Sequence, residues 1–283
     1  MKLTPKLKKN KLSPDNTRVY LTGSSGFIGS NIFKSQLGVE IIKVKRSVNF
    51  IDLEKNKKNI LIWAGEPSHV HDVNNSDYKE QEEITKRLSN FLNLSFDQVI
   101  YFSSIYVYKR NLSRKIYKEQ DSVDRFNFYS KGKLDREKLV LKRKEGCVFR
   151  LSNIYGSGMK NNIFEDIKNE IILDKETLRI RNLKSQLDLI YIDDLLECIN
   201  KSMEIGIAGL YNLTSKKETT PLTILTTVFK HLGIDKKIVE TQPDVFGYLV
   251  GDNTKLLSVL DWFPSYSLDE GINKLIKKGY FCG

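Results

Sequence analysis

Cysteine is scarce in this chain. Of 283 residues only Cys147, Cys198 and Cys282 carry a thiol. An odd number without close pairing excludes a disulfide framework, and the ligand spacing of a zinc site is missing as well. No apolar run approaches the roughly 20 residues that cross a bilayer. The basic N-terminus, MKLTPKLKKNKLSPDNTR, is followed by no apolar h-region and is therefore not a secretory signal. Residues 1–17 read as a mobile basic leader. A reducing, cytoplasmic setting with no membrane partner is expected. Internal repeats and low-complexity linkers are lacking too.

Hydrophobic residues at 40% and charged residues at 29% suit a chain able to bury a core. The formal net charge of +11 favours anionic partners. The bases are scattered, however, with acids close by, as in Lys118-Glu119-Gln120-Asp121 and Asp135-Arg136-Glu137-Lys138. No basic stripe is interleaved with aromatics, so a phosphorylated small molecule is the expected partner rather than nucleic acid.

The chain alternates strands and helices. Residues 18–21 read as a buried strand, and Ile28, Ile32, Phe33 and Leu37 mark one face of a helix closed by Gly38. Strands follow at 39–44, 59–63, 98–102 and 147–151, with helices at 78–94 and 131–144. The pattern predicts an α/β fold of Rossmann type, a doubly wound parallel sheet. The rhythm weakens after Tyr155. We therefore expect a dinucleotide-binding domain over 18–155 and a smaller, mainly substrate-binding region over 156–283, with some segments returning to the first.

Between the first strand and helix lies Gly23-Ser24-Ser25-Gly26-Phe27-Ile28-Gly29. Glycines there let the backbone approach a pyrophosphate, and the helix N-terminus offers free N–H groups to it. A base after the second strand suits the 2′-phosphate of NADP, and an acid there suits NAD. Lys45-Arg46 occupies that place, which favours NADP over NAD. Asp52, followed by Leu53, is the rival, placed further on and nearer the adenine. Trp63-Ala64-Gly65 and Ser103 complete the expected cofactor-binding set at the ends of later strands.

Of the thirteen tyrosines only Tyr129 has a lysine four residues on, Lys133. On a helix the two share a face, and the cation would favour phenolate, making a usable acid/base. Ser103-Ser104, directly after an apolar strand, can hydrogen-bond a substrate carbonyl or alkoxide.

Further pieces stand in order: Ser104-Ile105-Tyr106-Val107-Tyr108, Tyr129-Ser130-Lys131-Gly132-Lys133, Arg150-Leu151-Ser152-Asn153-Ile154-Tyr155-Gly156, Tyr191-Ile192-Asp193-Asp194, Asp252-Asn253-Thr254-Lys255 and Leu268-Asp269-Glu270-Gly271. With the glycine turn, this set resembles the extended short-chain dehydrogenases/reductases that act on nucleotide sugars, the NAD-dependent epimerase/dehydratase group. The resemblance runs from Arg18 nearly to the C-terminus. It implies that Ser104 and Tyr129 bind the reacting oxygen, that Tyr129 transfers its proton, and that Lys133 tunes Tyr129 and holds the nicotinamide ribose. It places Asn153 near the sugar-nucleotide diphosphate and leaves Lys160, Asn161, Asn162 and Arg181 as further substrate contacts. It also implies a homodimer built on the Tyr-Lys helix.

Departures narrow the chemistry. The group's 4,6-dehydratases carry Thr-Asp-Glu where this chain has Ser104-Ile105-Tyr106, so dehydration is not expected. No cysteine lies near Ser104, which disfavours epimerisation at C3 and C5. Leu187 stands where the group has an arginine before Asp188. Hydride transfer at a sugar carbon remains: NADPH-dependent reduction of a 4-keto-6-deoxy nucleotide sugar, for a surface polysaccharide, or 4-epimerisation with bound NAD. A non-catalytic NADP- or RNA-binding member of the fold is the alternative of another class.

Overall fold

The computed structural model describes residues 11–35, 37–67, 70–75, 78–110, 113–160, 162–173, 177–241 and 248–281. Ser13 to Thr17 form a hydrogen-bonded turn, with Asn16 Oδ1 accepting from the Ser13 N–H at 2.9 Å. The part of the leader from Lys11 onward is thus an ordered entry to the first strand, because its turn is locked to Lys57 and Lys58. Residues 1–10 lie outside the described residues.

The first half runs β1 (Thr17–Thr22), α1 (Phe27–Ser35), β2 (Glu40–Val44), β3 (Lys58–Trp63), α2 (Val70–Asn75), α3 (Tyr78–Leu92), β4 (Gln98–Ser104), β5 (Ile116–Tyr117), α4 (Phe128–Leu141) and β6 (Gly146–Leu151). The second half runs β7 (Asn153–Tyr155), α5 (Ile163–Ile172), β8 (Thr177–Ile180), β9 (Leu189–Tyr191), α6 (Ile192–Ile205), β10 (Gly209–Leu213), α7 (Pro221–Leu232), β11 (Lys237–Glu240), β12 (Val250–Gly251), α8 (Thr254–Val259) and α9 (Leu268–Lys277). Six strands form one parallel sheet in the order β10-β6-β4-β3-β1-β2.

Both faces of this sheet are covered, as a parallel sheet requires. Val19, Leu21, Ile60, Ile62 and Ile100 pack on one side with Ile32 of α1 and Leu195 and Ile199 of α6. Their neighbours Tyr20, Leu61, Trp63 and Tyr101 point the other way, onto Ile84, Leu88 and Phe91 of α3 and Val140 of α4. The near-continuous apolar runs of the strands are the direct cause. β10 joins the sheet beside β6, so the chain returns to the nucleotide-type half after leaving it.

Element boundaries shift by one to three residues, and two of the shifts have a visible cause. Helix α4 begins at Phe128, three residues before the sequence expectation, because Asn127 and Ser130 form a reciprocal capping box there. Gly146 lies inside β6 rather than before it. A Cβ at Gly146 would stand 2.0 Å from the Val140 carbonyl oxygen, so glycine lets the end of α4 touch the sheet.

A buried ion pair fastens α4 to β6. Arg150 donates to both Glu137 oxygens at 3.0 and 2.7 Å, and Ser103 Oγ donates to the same carboxylate at 2.5 Å. Removing one partner of such a pair strands a buried charge. Glu137→Ala should lower unfolding free energy by about 3–5 kcal/mol, read by denaturant titration, with Glu137→Gln losing less.

Candidate active site

Strand order reverses across β1 and β3, and the crevice above their C-terminal ends is where open parallel sheets bind ligands. The glycine turn sits there. Gly23 has a φ of +68°, and a Cβ on it would lie 2.3 Å from the Ala64 carbonyl oxygen. Gly65 is tight as well, with its Cβ position 2.9 Å from the Gly23 nitrogen. Thr22 closes the contact by accepting from the Ala64 and Gly65 N–H groups at 3.0 and 3.1 Å. A Cβ on Gly29 would meet the Gly23 carbonyl oxygen at 2.1 Å. Gly26 differs: its Cβ position has only the Gly23 oxygen near it, at 3.4 Å. Gly23, Gly29 and Gly65 thus serve chain packing, whereas Gly26 leaves an open surface before the first turn of α1. Ser25, Phe27 and Ile28 lie on the same turn.

Around the expected adenosine end, Arg46 is well exposed and pairs with Glu80 at 2.7 Å. The sequence reading missed Arg87 of α3. Its guanidinium donates to the carbonyls of Lys45 and Val48 and lies 5.1 Å from the Trp63 ring. Burial, then the neighbouring Arg46 cation, lowers its pKa. Asp52 contributes its carbonyl, which accepts from Tyr20, and Leu53 packs against the apolar cluster on that face. Trp63 is itself buried in the same cluster.

At the end of β4 the two serines part. Ser103 turns its hydroxyl to Glu137, while Ser104 caps a short 3₁₀ turn, accepting from the Tyr106 N–H at 3.2 Å. Ile105 is fully buried with Tyr108, Tyr117 and Leu249, and Tyr106 packs against them. The positions where dehydratases keep an acid pair are therefore apolar or phenolic.

Tyr129 and Lys133 lie one turn apart on α4, with Lys133 Nζ 5.7 Å from the Tyr129 ring centre. Asn74 of α2 accepts from the Tyr129 N–H at 3.1 Å and fixes the helix start. The Lys133 ammonium donates to the Phe102 carbonyl at 2.9 Å, which ties it to β4 two residues before Ser104. It also pairs with Glu66 at 2.8 Å. Sequence reading did not find Glu66, because a lone glutamate after a strand resembles any loop acid. Burial works against the Lys133 charge, yet Glu66 and Tyr101 hold it above the usual lysine range.

The expected substrate contacts are scattered. Asn153 donates its side-chain amide to the Asp188 carbonyl at 3.2 Å. Asn162 caps α5, accepting from Phe164 and Glu165. Arg181 faces Asp166 at 3.6 Å on the surface, and Lys160 is exposed. Asn161 lies outside the described residues. Leu187 pairs through its backbone with Thr219, and the buried Asp188 carboxylate accepts from the Ser215 and Lys216 N–H groups. Burial lifts Asp188 to about 6 against those bonds. Cys147 and Cys198 are free and buried, and Cys282 lies outside the described residues. Among the described residues no cluster of His, Cys, Asp and Glu could hold a metal ion, and no helix is long and apolar enough to cross a membrane.

Residues 17–244 match the RmlD substrate binding domain family. The chain belongs to that family, within the extended short-chain dehydrogenases/reductases of nucleotide sugars. It is 30% identical over 136 residues to the dTDP-4-dehydro-6-deoxyglucose reductase of Escherichia coli, a match spanning 45% of this chain and 43% of that protein. UDP-glucuronic acid decarboxylase 6 of Arabidopsis thaliana is 24% identical over 94% of this chain and 90% of its own length. In fold the chain is similar to RMD of Pseudomonas aeruginosa, solved with NADPH, with a TM-score of 0.75 at 18% identity over 93% of this chain and 98% of that one. It is likewise similar to a Thermotoga maritima UDP-glucose 4-epimerase solved with UDP-glucose, with a TM-score of 0.76 at 19% identity over 92% and 98% of the two chains.

The space around Gly26 generates a test that separates packing from binding. Gly26→Val should leave unfolding free energy within about 1 kcal/mol of wild type while filling the surface a pyrophosphate needs. Dinucleotide affinity, followed by fluorescence titration, should fall at least about tenfold, a loss of about 1.4 kcal/mol.

Proposed function

We propose that the protein uses NADPH to reduce the 4-keto group of a 4-keto-6-deoxy sugar carried on a nucleotide, supplying a precursor of surface polysaccharide in the cytoplasm. The observation that carries this reading is the placement of Ser104, Tyr129 and Lys133 at the C-terminal end of β4 and the start of α4, on the sheet edge that also holds the glycine turn. The 30% identity to a reductase of such a sugar supports the choice of reaction.

The residues present fit a nicotinamide dinucleotide. The open Cβ direction at Gly26 and the start of α1 would take the pyrophosphate, and Lys45, Arg46 and Arg87 gather positive charge where a 2′-phosphate would lie. Lys133 has three donors, of which Glu66 and Phe102 take two, leaving one for the ribose. When bound, the reduced nicotinamide supplies the hydride. Ser104 and Tyr129 hold the carbonyl oxygen, Tyr129 gives it a proton as charge develops, and the Lys133 cation stabilises the phenolate left behind. Buried Ile105 and half-buried Tyr106 offer no carboxylate pair for loss of water. We take the working unit to be a homodimer built on α4.

A panel of 4-keto nucleotide sugars, followed by NADPH absorbance, tests the reading. Tyr129→Phe should lower kcat by about 10²–10⁴ while NADPH affinity stays within about threefold. Interconversion of a nucleotide sugar with its 4-epimer, without added NADPH, would instead establish the NAD epimerase.

A further inference from the structure

Glu66 sits immediately after Gly65 and is nearly sealed from solvent, with 4% of its side chain exposed. Four groups converge on it, two on each oxygen. Three donate hydrogen bonds, and Arg136, whose Nε–H donates to Tyr101 Oη at 3.2 Å, forms an ion pair. Lys133 Nζ and Tyr101 Oη meet Oε2 at 2.8 and 3.2 Å, while Arg136 Nε and the Trp63 indole N–H meet Oε1 at 2.8 and 3.0 Å. Lys133 and Arg136 are 7% and 1% exposed. Two buried cations thus share one buried anion. The rest of the Arg136 guanidinium is spent on Gln81 and Thr85 of α3, neutral groups that do not balance its charge.

We propose that Glu66 is a positioning residue of the proton-transfer site, which aims Lys133 at the bound cofactor and keeps it an ammonium although it is buried beside Arg136. This rests on the part of the proposed function in which Lys133 holds the nicotinamide cofactor. The charged and titratable groups facing Lys133 are Glu66 after β3, Tyr101 on β4, and Tyr129 and Arg136 on α4. Tyr106, beyond Ser104, faces Tyr129 and lies under Arg110 at 5.4 Å. Glu137 is turned away, held by Arg150 and Ser103. Glu66 is therefore the anion that decides whether Lys133 stays charged. Burial alone disfavours an ammonium, and a second cation disfavours it further. Without the carboxylate, Lys133 gives up its proton at lower pH and swings from the Phe102 carbonyl.

The sign follows. Binding of NADPH depends on protonated Lys133, so its alkaline limit marks the loss of that proton. Glu66→Gln should move the alkaline limb of NADPH binding down by at least about one pH unit, the scale set by loss of a close counter-ion. Glu66→Asp should keep the limb near its wild-type place with weaker binding. Arg136→Met removes the competing cation and should leave the limb where it is or raise it. In Lys133→Met the Glu66→Gln change should no longer alter the pH dependence.

The measurement is a fluorescence titration of the full chain with NADPH across pH, beside thermal denaturation of each variant. An unchanged limb in folded Glu66→Gln, or an affinity loss equal at every pH, overturns the proposal. Should Glu66→Gln not fold, Arg136→Met decides: a downward limb overturns the proposal, and a steady or raised limb upholds it. The readout needs no sugar substrate. Absence of turnover with normal NADPH binding would count against the reductase reading and leave this inference standing.

Discussion

Helix α4 carries Lys133, Arg136 and Glu137 into the protein interior, and their compensation is the constraint on which the rest of the site depends. Each buried ion costs several kcal/mol of desolvation, offset only where hydrogen bonds and opposite charges are well placed. Two carboxylates meet this need: Glu66 from the end of β3 holds Lys133 and Arg136, and Glu137 holds Arg150 of β6. The helix is thereby fastened to β3, β4 and β6 at once. Gly132 is part of the same arrangement, since a Cβ there would lie 2.6 Å from Gln81 Oε1 and 2.9 Å from an Arg136 nitrogen. Tyr129 rides on this helix, one turn before Lys133.

That constraint also explains what could be read from the sequence. Five strands of the parallel sheet were legible because they are apolar runs, and their positions agree within two residues, whereas β10 was not read as a strand. The glycine turn was legible because its spacing between strand and helix is itself the geometry. Helix α4 was legible only from Lys131 onward, as a helix with a mixed charged face. Its buried side contains Ser130, Lys133, Arg136 and Glu137, so no apolar stripe marks its first turn. Glu66 and Arg87 left no signal of their own, because each acts through partners 67 and 42 residues away in sequence.

The second half of the chain teaches a different lesson. Asn162 precedes Glu165 by three residues, the pattern of a capped helix start, and the structure uses it so. Asn153 and Asp188 meet through the backbone carbonyl of one and the amide of the other, bringing β7 and β9 into register. Polar residues in a region of expected ligand contacts are as readily turned to local structure, because every buried backbone group requires a partner.

Asp188 shows how a motif can lose one role and keep another. Its carboxylate accepts from Ser215 and Lys216 and lies 3.4 Å from the Gly251 nitrogen, so it joins three separate segments of chain. None of these bonds involves the side chain of residue 187, whose backbone alone pairs with Thr219. Leucine can therefore stand at 187 without disturbing the turn that Asp188 organises. The diphosphate that the family resemblance implies for the substrate would have to meet a cation other than a side chain at 187. Substrate choice would vary in this half of the chain while the proposed Tyr129–Lys133 pair, carried on a helix fastened by buried ion pairs in the other half, stays in place.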